Sequence, residues 1–293
     1  MATRGRGGHG ERMTPHPPRV AVVTGANQGL GYALVAGLCR ALGPDDAVYL
    51  TARDATRGAD AVASLRAAGL APRFALLDVS EPDSIARFAA AIAAEHGGVD
   101  LVVSNATSRM VRERPLAEQV RPFVVTSNLA TTRLIAELDP LLRDGGRFLV
   151  VASGFGRLRH LPEPLRARFD QAPSLAAIDE LMLGYVDAVE RGTAVADGWP
   201  EWINIPSKVG QVAAMRIYAR ERRAEAERRG LVIDAVCPGL VDTAASRPWF
   251  ADMSKAQTPD DAARDVIWLA TAPRAELPYG ELVQHRVVLS WDA

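Results

Sequence analysis

From Arg19 onward, short apolar runs alternate with longer amphipathic stretches, and that order leaves few folds open to the chain. Val20–Thr24, Ala47–Thr51, Arg73–Leu77, Val99–Val103, Arg147–Ala152 and Leu231–Cys237 read as strands. Helical periodicity covers Leu30–Leu42, Thr56–Ala68, Pro82–Glu95, a long stretch around Leu116–Leu142, Glu163–Phe169, Leu175–Glu190 and a helix ending near Arg229. Runs that are apolar on both faces belong to a buried parallel sheet, and right-handed crossovers make strict βα alternation a doubly wound one. The expected fold is therefore α/β, one domain over residues 19–293 with helices on both faces of the sheet. Residues 1–18, rich in Gly, Arg and Pro, read as a flexible leader in which Met13 is an alternative start. Ligands of such sheets sit beyond the carboxyl ends of the strands.

Composition narrows the partners. The 293 residues are 48% hydrophobic with a formal net charge of -1, enough apolar material for a large core and no clustered excess of Lys and Arg for nucleic acid or an anionic membrane. No apolar run approaches the roughly 20 residues that cross a bilayer, and no signal-type stretch comes after the leader. The expectation is a cytoplasmic protein acting on a small molecule. Cys39 and Cys237 read as small core residues, and His9, His16, His96, His160 and His285 lack metal-ligand spacing, so no metal is expected. Lys208 and Lys255 are the only lysines, so a lysine at a mechanistically useful place is informative.

Thr24-Gly25-Ala26-Asn27-Gln28-Gly29-Leu30-Gly31 joins the first strand to the first helix. Glycines there permit a tight turn and a close backbone approach, and the helix start offers free N–H groups to a pyrophosphate. The competing reading, a tight turn and nothing more, is disfavoured by the flanking strand and helix. About 20 residues on, where a ribose-reading acid would stand, the chain has Thr51-Ala52-Arg53. Arg53 suits a 2′-phosphate and hence NADP, or else is a solvated surface arginine. Asp78, ending the third strand and next to Val79, is placed to accept from an adenine amino group.

With these residues in place, the chain resembles the short-chain dehydrogenase/reductase family, whose Rossmann-type fold binds a dinucleotide. Thr24 to Gly31 matches its TGxxxGxG, and Ser104-Asn105-Ala106-Thr107 a degraded NNAG. Thr51-Ala52-Arg53-Asp54, Thr56-Arg57-Gly58, Pro72-Arg73-Phe74, Gly198-Trp199-Pro200 and Cys237-Pro238-Gly239 look like the NADPH-dependent carbonyl reductase branch. The resemblance implies NADP(H) held by Gly25, Asn27, Gln28, Gly29, Leu30, Gly31, Arg53, Asp78, Val79, Asn105, Ala106, Lys208, Pro238, Gly239, Val241 and Thr243. It implies Asn128 as the holder of a proton-relay water and Ser153 as the donor to a carbonyl oxygen. Lys208 matches the lysine that binds the nicotinamide ribose and lowers a tyrosine's pKa. It also implies a monomer, because roughly 50 residues separate Ser153 from Asn204, far more than an ordinary connection. The insertion, about residues 154–203, precedes the lysine-bearing helix and would cover a face that other members use to assemble.

Four residues before Lys208, where the family pattern YxxxK has its tyrosine, stands Asn204. Asparagine donates a hydrogen bond but does not titrate, so it cannot replace a general acid worth roughly 10²- to 10⁴-fold in rate. Pro206 puts the helix start near Ile205, and Asn204 at or beside its N-cap is the plain alternative. Tyr185 and Tyr218 read as packing, while Glu201, Trp202 and His160 are substitute candidates. Trp202, His160 and Trp249 are expected to line a substrate pocket. Hydride addition to an iminium ion neutralises an existing charge and needs no acid, which makes an imine reductase the leading expectation beside reduction of an activated carbonyl. An NADP-binding regulator without chemistry and a non-redox cyclase or isomerase remain the alternatives.

Overall fold

The computed structural model describes residues 17–292; the expected leader lies largely outside them. Eight strands form one sheet: β1 (Val20–Val23), β2 (Ala47–Ala52), β3 (Arg73–Leu76), β4 (Val99–Ser104), β5 (Leu142–Val151), β6 (Val232–Val236), β7 (Leu282–Gln284) and β8 (Val287–Leu289). Their order is β3-β2-β1-β4-β5-β6-β7-β8, parallel through β7, with β8 antiparallel at the edge. The winding reverses between β1 and β4, which opens a crevice at their carboxyl ends.

Helices cover both faces. One core layer packs α1 (Gly29–Ala41), α2 (Ala55–Ala67) and α9 (Pro259–Thr271) against the sheet through Leu34, Leu38, Leu65, Val266 and Leu269. The opposite layer holds α3 (Pro82–His96), α4 (Leu116–Val124), α5 (Ala130–Leu138) and α8 (Asn204–Arg229), with Ile85, Val120, Leu134 and Val212 buried. The insertion contributes short turns at Gly154–Gly156 and Leu158–His160, then α6 (Glu163–Asp170) and α7 (Leu175–Glu190). Local chemistry sets several boundaries: Asp54, Ser174 and Thr258 cap α2, α7 and α9 with side-chain oxygens, and left-handed Gly97 and Gly230 end α3 and α8. Among the described residues no helix is long and apolar enough to cross a membrane. Cys237 is buried as expected, whereas Cys39 is only partly so.

Three expectations need correction. The stretch around Leu116–Leu142 is not one helix. Pro122 sits inside α4, and a π turn over Val125–Leu129 precedes α5; proline supplies no N–H to the helix ladder, and the widened turn re-phases α5 relative to α4. Strand β5 begins at Leu142 instead of Arg147. The turn signal Asp144-Gly145-Gly146 lies within it as an irregularity, with Gly145 at φ +75° and a register shift opposite Val99 to Leu101. Beyond Cys237, where the sequence pattern assigns no element, the structure adds α9 and the β7–β8 hairpin.

Candidate functional site

The glycine turn is stitched to the neighbouring strand end. Thr24 Oγ1 accepts from the N–H groups of Asn105 and Ala106 at 2.9 and 3.0 Å, and Asn105 Nδ2 donates to the Thr24 carbonyl at 2.9 Å. Gly25 and Gly29 have φ of +61° and +57°. A Cβ on Gly31 would lie 2.6 Å from the Gly25 carbonyl oxygen, so only glycine allows α1 this close to the turn. Gln28 caps α1 without a side-chain bond, which leaves the first N–H groups of the helix available. Asn27, Gln28 and Leu30 thus lie on the turn that presents these N–H groups at the switch point.

Arg53 is exposed at the end of β2 and has no hydrogen bond or ion pair to the other described residues. Asp78 Oδ1 accepts from Ser80 N–H and Oγ, and Val79 is buried beside it. From the far side, the segment after β6 closes over the cradle. Thr243 Cγ2 would meet a Cβ on Gly29 at 3.4 Å, Gly239 has φ +74°, Pro238 C=O accepts from Gln257 Nε2, and Val241 bridges to Gln257. The expected cofactor residues from both halves of the sheet therefore share one crevice.

The π turn, the end of β5 and the first turns of α8 form the second part of the site. Asn128 Nδ2 donates to the Ser207 carbonyl at 2.8 Å, and Ser207 Oγ donates to Asn128 Oδ1 at 2.7 Å. Both ends of the Asn128 side-chain amide are thus engaged with Ser207. Lys208 Nζ donates to Gln211 Oε1 at 2.7 Å and to the Val151 carbonyl at 3.4 Å. Burial pushes its pKa down to about 8 against a small opposing effect of Cys237. Cys237 Sγ accepts from Gly154 N–H at 2.9 Å, next to Ser153, whose hydroxyl caps the turn by accepting from Phe155 N–H. Gln211 was not legible as a site residue: its spacing from Lys208 is ordinary helix spacing, and only packing shows that it is buried.

Asn204 is the first residue of α8, one turn before Lys208 on the same helix face, and Ile203 is the cap. Asn204 therefore stands beside the N-cap, as expected, but the cap is Ile203, with helical φ and ψ, and no side chain caps the helix, so capping is not the role of Asn204. The Asn204 side chain forms no hydrogen bond to the other described residues and is partly exposed.

All five tyrosines are placed elsewhere. Tyr32 pairs with Ser64, Tyr49 with Glu95 and His96, Tyr218 with Asp139 and Tyr279 with the Ala219 carbonyl. Tyr185 is fully buried beside Trp199, and burial pushes its phenol far up. Two of the expected pocket residues, Trp202 and His160, meet in an aromatic wall. The Phe155 ring lies 4.7 Å from Trp202 and 5.4 Å from His160, and Trp202 lies 6.1 Å from Phe250. Burial, aided by Arg159 and Arg157, holds the His160 imidazole below its ordinary pKa. Trp249 packs partly buried on the core and has no ring partner in this wall, and Glu201 is exposed.

Among known proteins, residues 19–162 match the short chain dehydrogenase family. Carbonyl reductase (NADPH) 3 of Mus musculus is 34% identical over 280 residues, covering 93% of this chain and 98% of the relative; the Homo sapiens carbonyl reductase (NADPH) 1 is 32% identical over 278 residues, at 93% and 98%. In fold, the chain matches salutaridine reductase from Papaver somniferum with a TM-score of 0.75 at 23% identity, over 90% of this chain and 99% of that one. A metagenomic short-chain oxidoreductase in complex with NADP matches with a TM-score of 0.60 at 25% identity, over 88% and 93%. With a glycine cradle at the switch point and full-length relatives above 30% identity, the chain belongs to the short-chain dehydrogenase/reductase family.

Proposed function

We propose that this protein is an NADPH-dependent reductase acting on the C=N bond of an imine or iminium ion, or on an activated carbonyl, of a small and fairly apolar molecule. The observation that carries the reading is the position of Asn204 one turn before Lys208, with four tyrosine hydroxyls hydrogen-bonded elsewhere and that of Tyr185 buried beside Trp199. The relatives named carbonyl reductase (NADPH) and the NADP complex of a structural neighbour support the cofactor. The residues present fit it: the cradle excludes a Cβ at Gly31, and Arg53 is an exposed cation with no partner among the described residues, where a 2′-phosphate would lie. NADPH, when bound, supplies hydride.

The chain's own groups then have separable roles. Gly25 to Gly31 would hold the diphosphate by donating from backbone N–H groups, and Lys208 would present a fixed cation to the ribose. Ser153 and Asn204 offer a hydroxyl and an amide to orient the substrate, and Trp202, Phe155, His160 and Phe250 exclude water. Neither Ser153 nor Asn204 titrates in the working range, so reduction that builds an alkoxide is poorly served. Reduction of an iminium carbon, which discharges a positive charge, proceeds in such a site through orientation and desolvation. A monomer fits the same reading: Arg121 on α4 pairs with Glu190 and Asp187 on α7, so the insertion occupies the outer face of α4.

The deciding experiment monitors NADPH oxidation with matched cyclic imines and activated ketones, for the native chain and Asn204→Tyr. Turnover of imines by the native chain upholds the reading. Ketone turnover alone overturns the imine assignment and points to His160 or Glu201 as acid. Silence of the native chain toward both, with ketone reduction by Asn204→Tyr, indicates a cofactor binder or non-redox catalyst.

A further inference from the structure

Gln211 lies on α8 three residues after Lys208 and is 2% exposed. A buried primary amide is costly unless its polar atoms find partners, and here both ends do. Its Oε1 accepts from Lys208 Nζ at 2.7 Å, and its Nε2 donates to the carbonyl of Ser127, inside the π turn, at 2.9 Å. An ammonium has three donors. Two of them go to Gln211 and to the Val151 carbonyl, which leaves one for the site.

What Gln211 cannot do matters as much as what it holds. A primary amide neither takes up nor releases a proton near neutral pH, and a backbone carbonyl does not either. The line from Lys208 through Gln211 to Ser127 therefore ends in groups that cannot hand a proton on. The adjacent Asn128 spends its amide oxygen on the Ser207 hydroxyl. The Cys237 thiol after β6, the titratable neighbour of Lys208, is itself pushed up by burial.

We propose that Gln211 is a positioning residue for Lys208: accepting from Nζ at 2.7 Å while its own amide is anchored on the Ser127 carbonyl at 2.9 Å, it holds the ammonium charged and turned toward the reaction site. Lys208 held in this way works as a stationary cation. The inference rests on placing Lys208 in the reaction site, but its test reads the lysine directly and needs no substrate.

With two lysines in the chain, isotopic labelling of lysine gives two side-chain NMR signals, and Lys255→Arg assigns them. Gln211→Met keeps the volume and removes the acceptor, while the Ser127 carbonyl still accepts from Thr131 Oγ1 at 2.9 Å. The Lys208 titration midpoint is expected to fall by about one pH unit in Gln211→Met and to rise by about as much in Gln211→Glu, with Lys255 unmoved. Unchanged midpoints in both Met and Glu variants, whatever happens to Tm, would reduce Gln211 to a packing residue.

Discussion

Asn128 and Ser207 hold each other by two reciprocal hydrogen bonds, at 2.8 and 2.7 Å, with both side chains buried. The pair fastens the π turn to α8 at the residue immediately before Lys208. Removing one member leaves the other's polar groups buried without partners, at a cost of about 1–3 kcal/mol. Asn128→Ala and Ser207→Ala should each destabilise by that amount, with a coupling of about 1 kcal/mol in a double-mutant cycle read by urea unfolding. Additive losses would mean that the two residues do not work as a unit.

Gly31→Ala should raise the Kd for NADPH by more than about tenfold, because the new methyl group would press on the Gly25 carbonyl at 2.6 Å and distort the cradle. Gly184→Ala is the control. Its Cβ would meet nothing within 4 Å inside α7, so stability should rise by about 0.5–1 kcal/mol with the Kd unchanged. Fluorescence titration and thermal unfolding read the two effects separately.

Arg53→Ala should weaken NADPH by about 10- to 100-fold, the worth of one or two charge-assisted hydrogen bonds, and leave NADH binding within about twofold. Equal losses for both dinucleotides would show that Arg53 does not meet the 2′-phosphate.

Asp234 lies on β6, wholly buried, with Oδ1 accepting from Glu281 N–H and Oδ2 unpaired. Burial pushes its pKa up to about 7, with Arg274 and the backbone N–H bonds opposing and Glu281 adding to the rise. Between the ordinary carboxylate range near pH 4 and pH 7, the native state binds a proton that the unfolded chain has lost. Stability from this group therefore falls as pH rises through that window and stays low above it. Asp234→Asn keeps the acceptor for Glu281 and should flatten the decline in the urea midpoint between about pH 5 and pH 8. An identical decline in both proteins would place its origin in other groups, such as Asp179, which burial raises to about 6.

The alternation of strands and helices, the glycine turn, Arg53 and Lys208 were all legible because each depends on short-range chemistry. Both-face apolar runs demand a covered sheet, positive φ demands glycine, and a rare lysine is informative wherever it stands. The π turn was not legible, since a widened turn differs from a regular one by a shift in hydrogen-bond partner that Pro122 permits and the Asn128–Ser207 pair locks. Asn204 was visible as a residue out of pattern, while its freedom from capping duty depended on where α8 starts.

By itself the sequence determined the doubly wound sheet, the cradle and the alignment of Asn204 with Lys208 along one helix face, because those relations span no more than a few turns of chain. Only the tertiary structure decided that Gln211 reaches Ser127, that Cys237 accepts from Gly154, that Thr243 closes over Gly29 and that His160 and Phe250 join one aromatic wall. The first two of these contacts join residues 84 and 83 positions apart in the chain, and the others link separate segments. Their partners are chosen by which side chains the packed layers bring within reach, a property of the whole fold that no local pattern encodes.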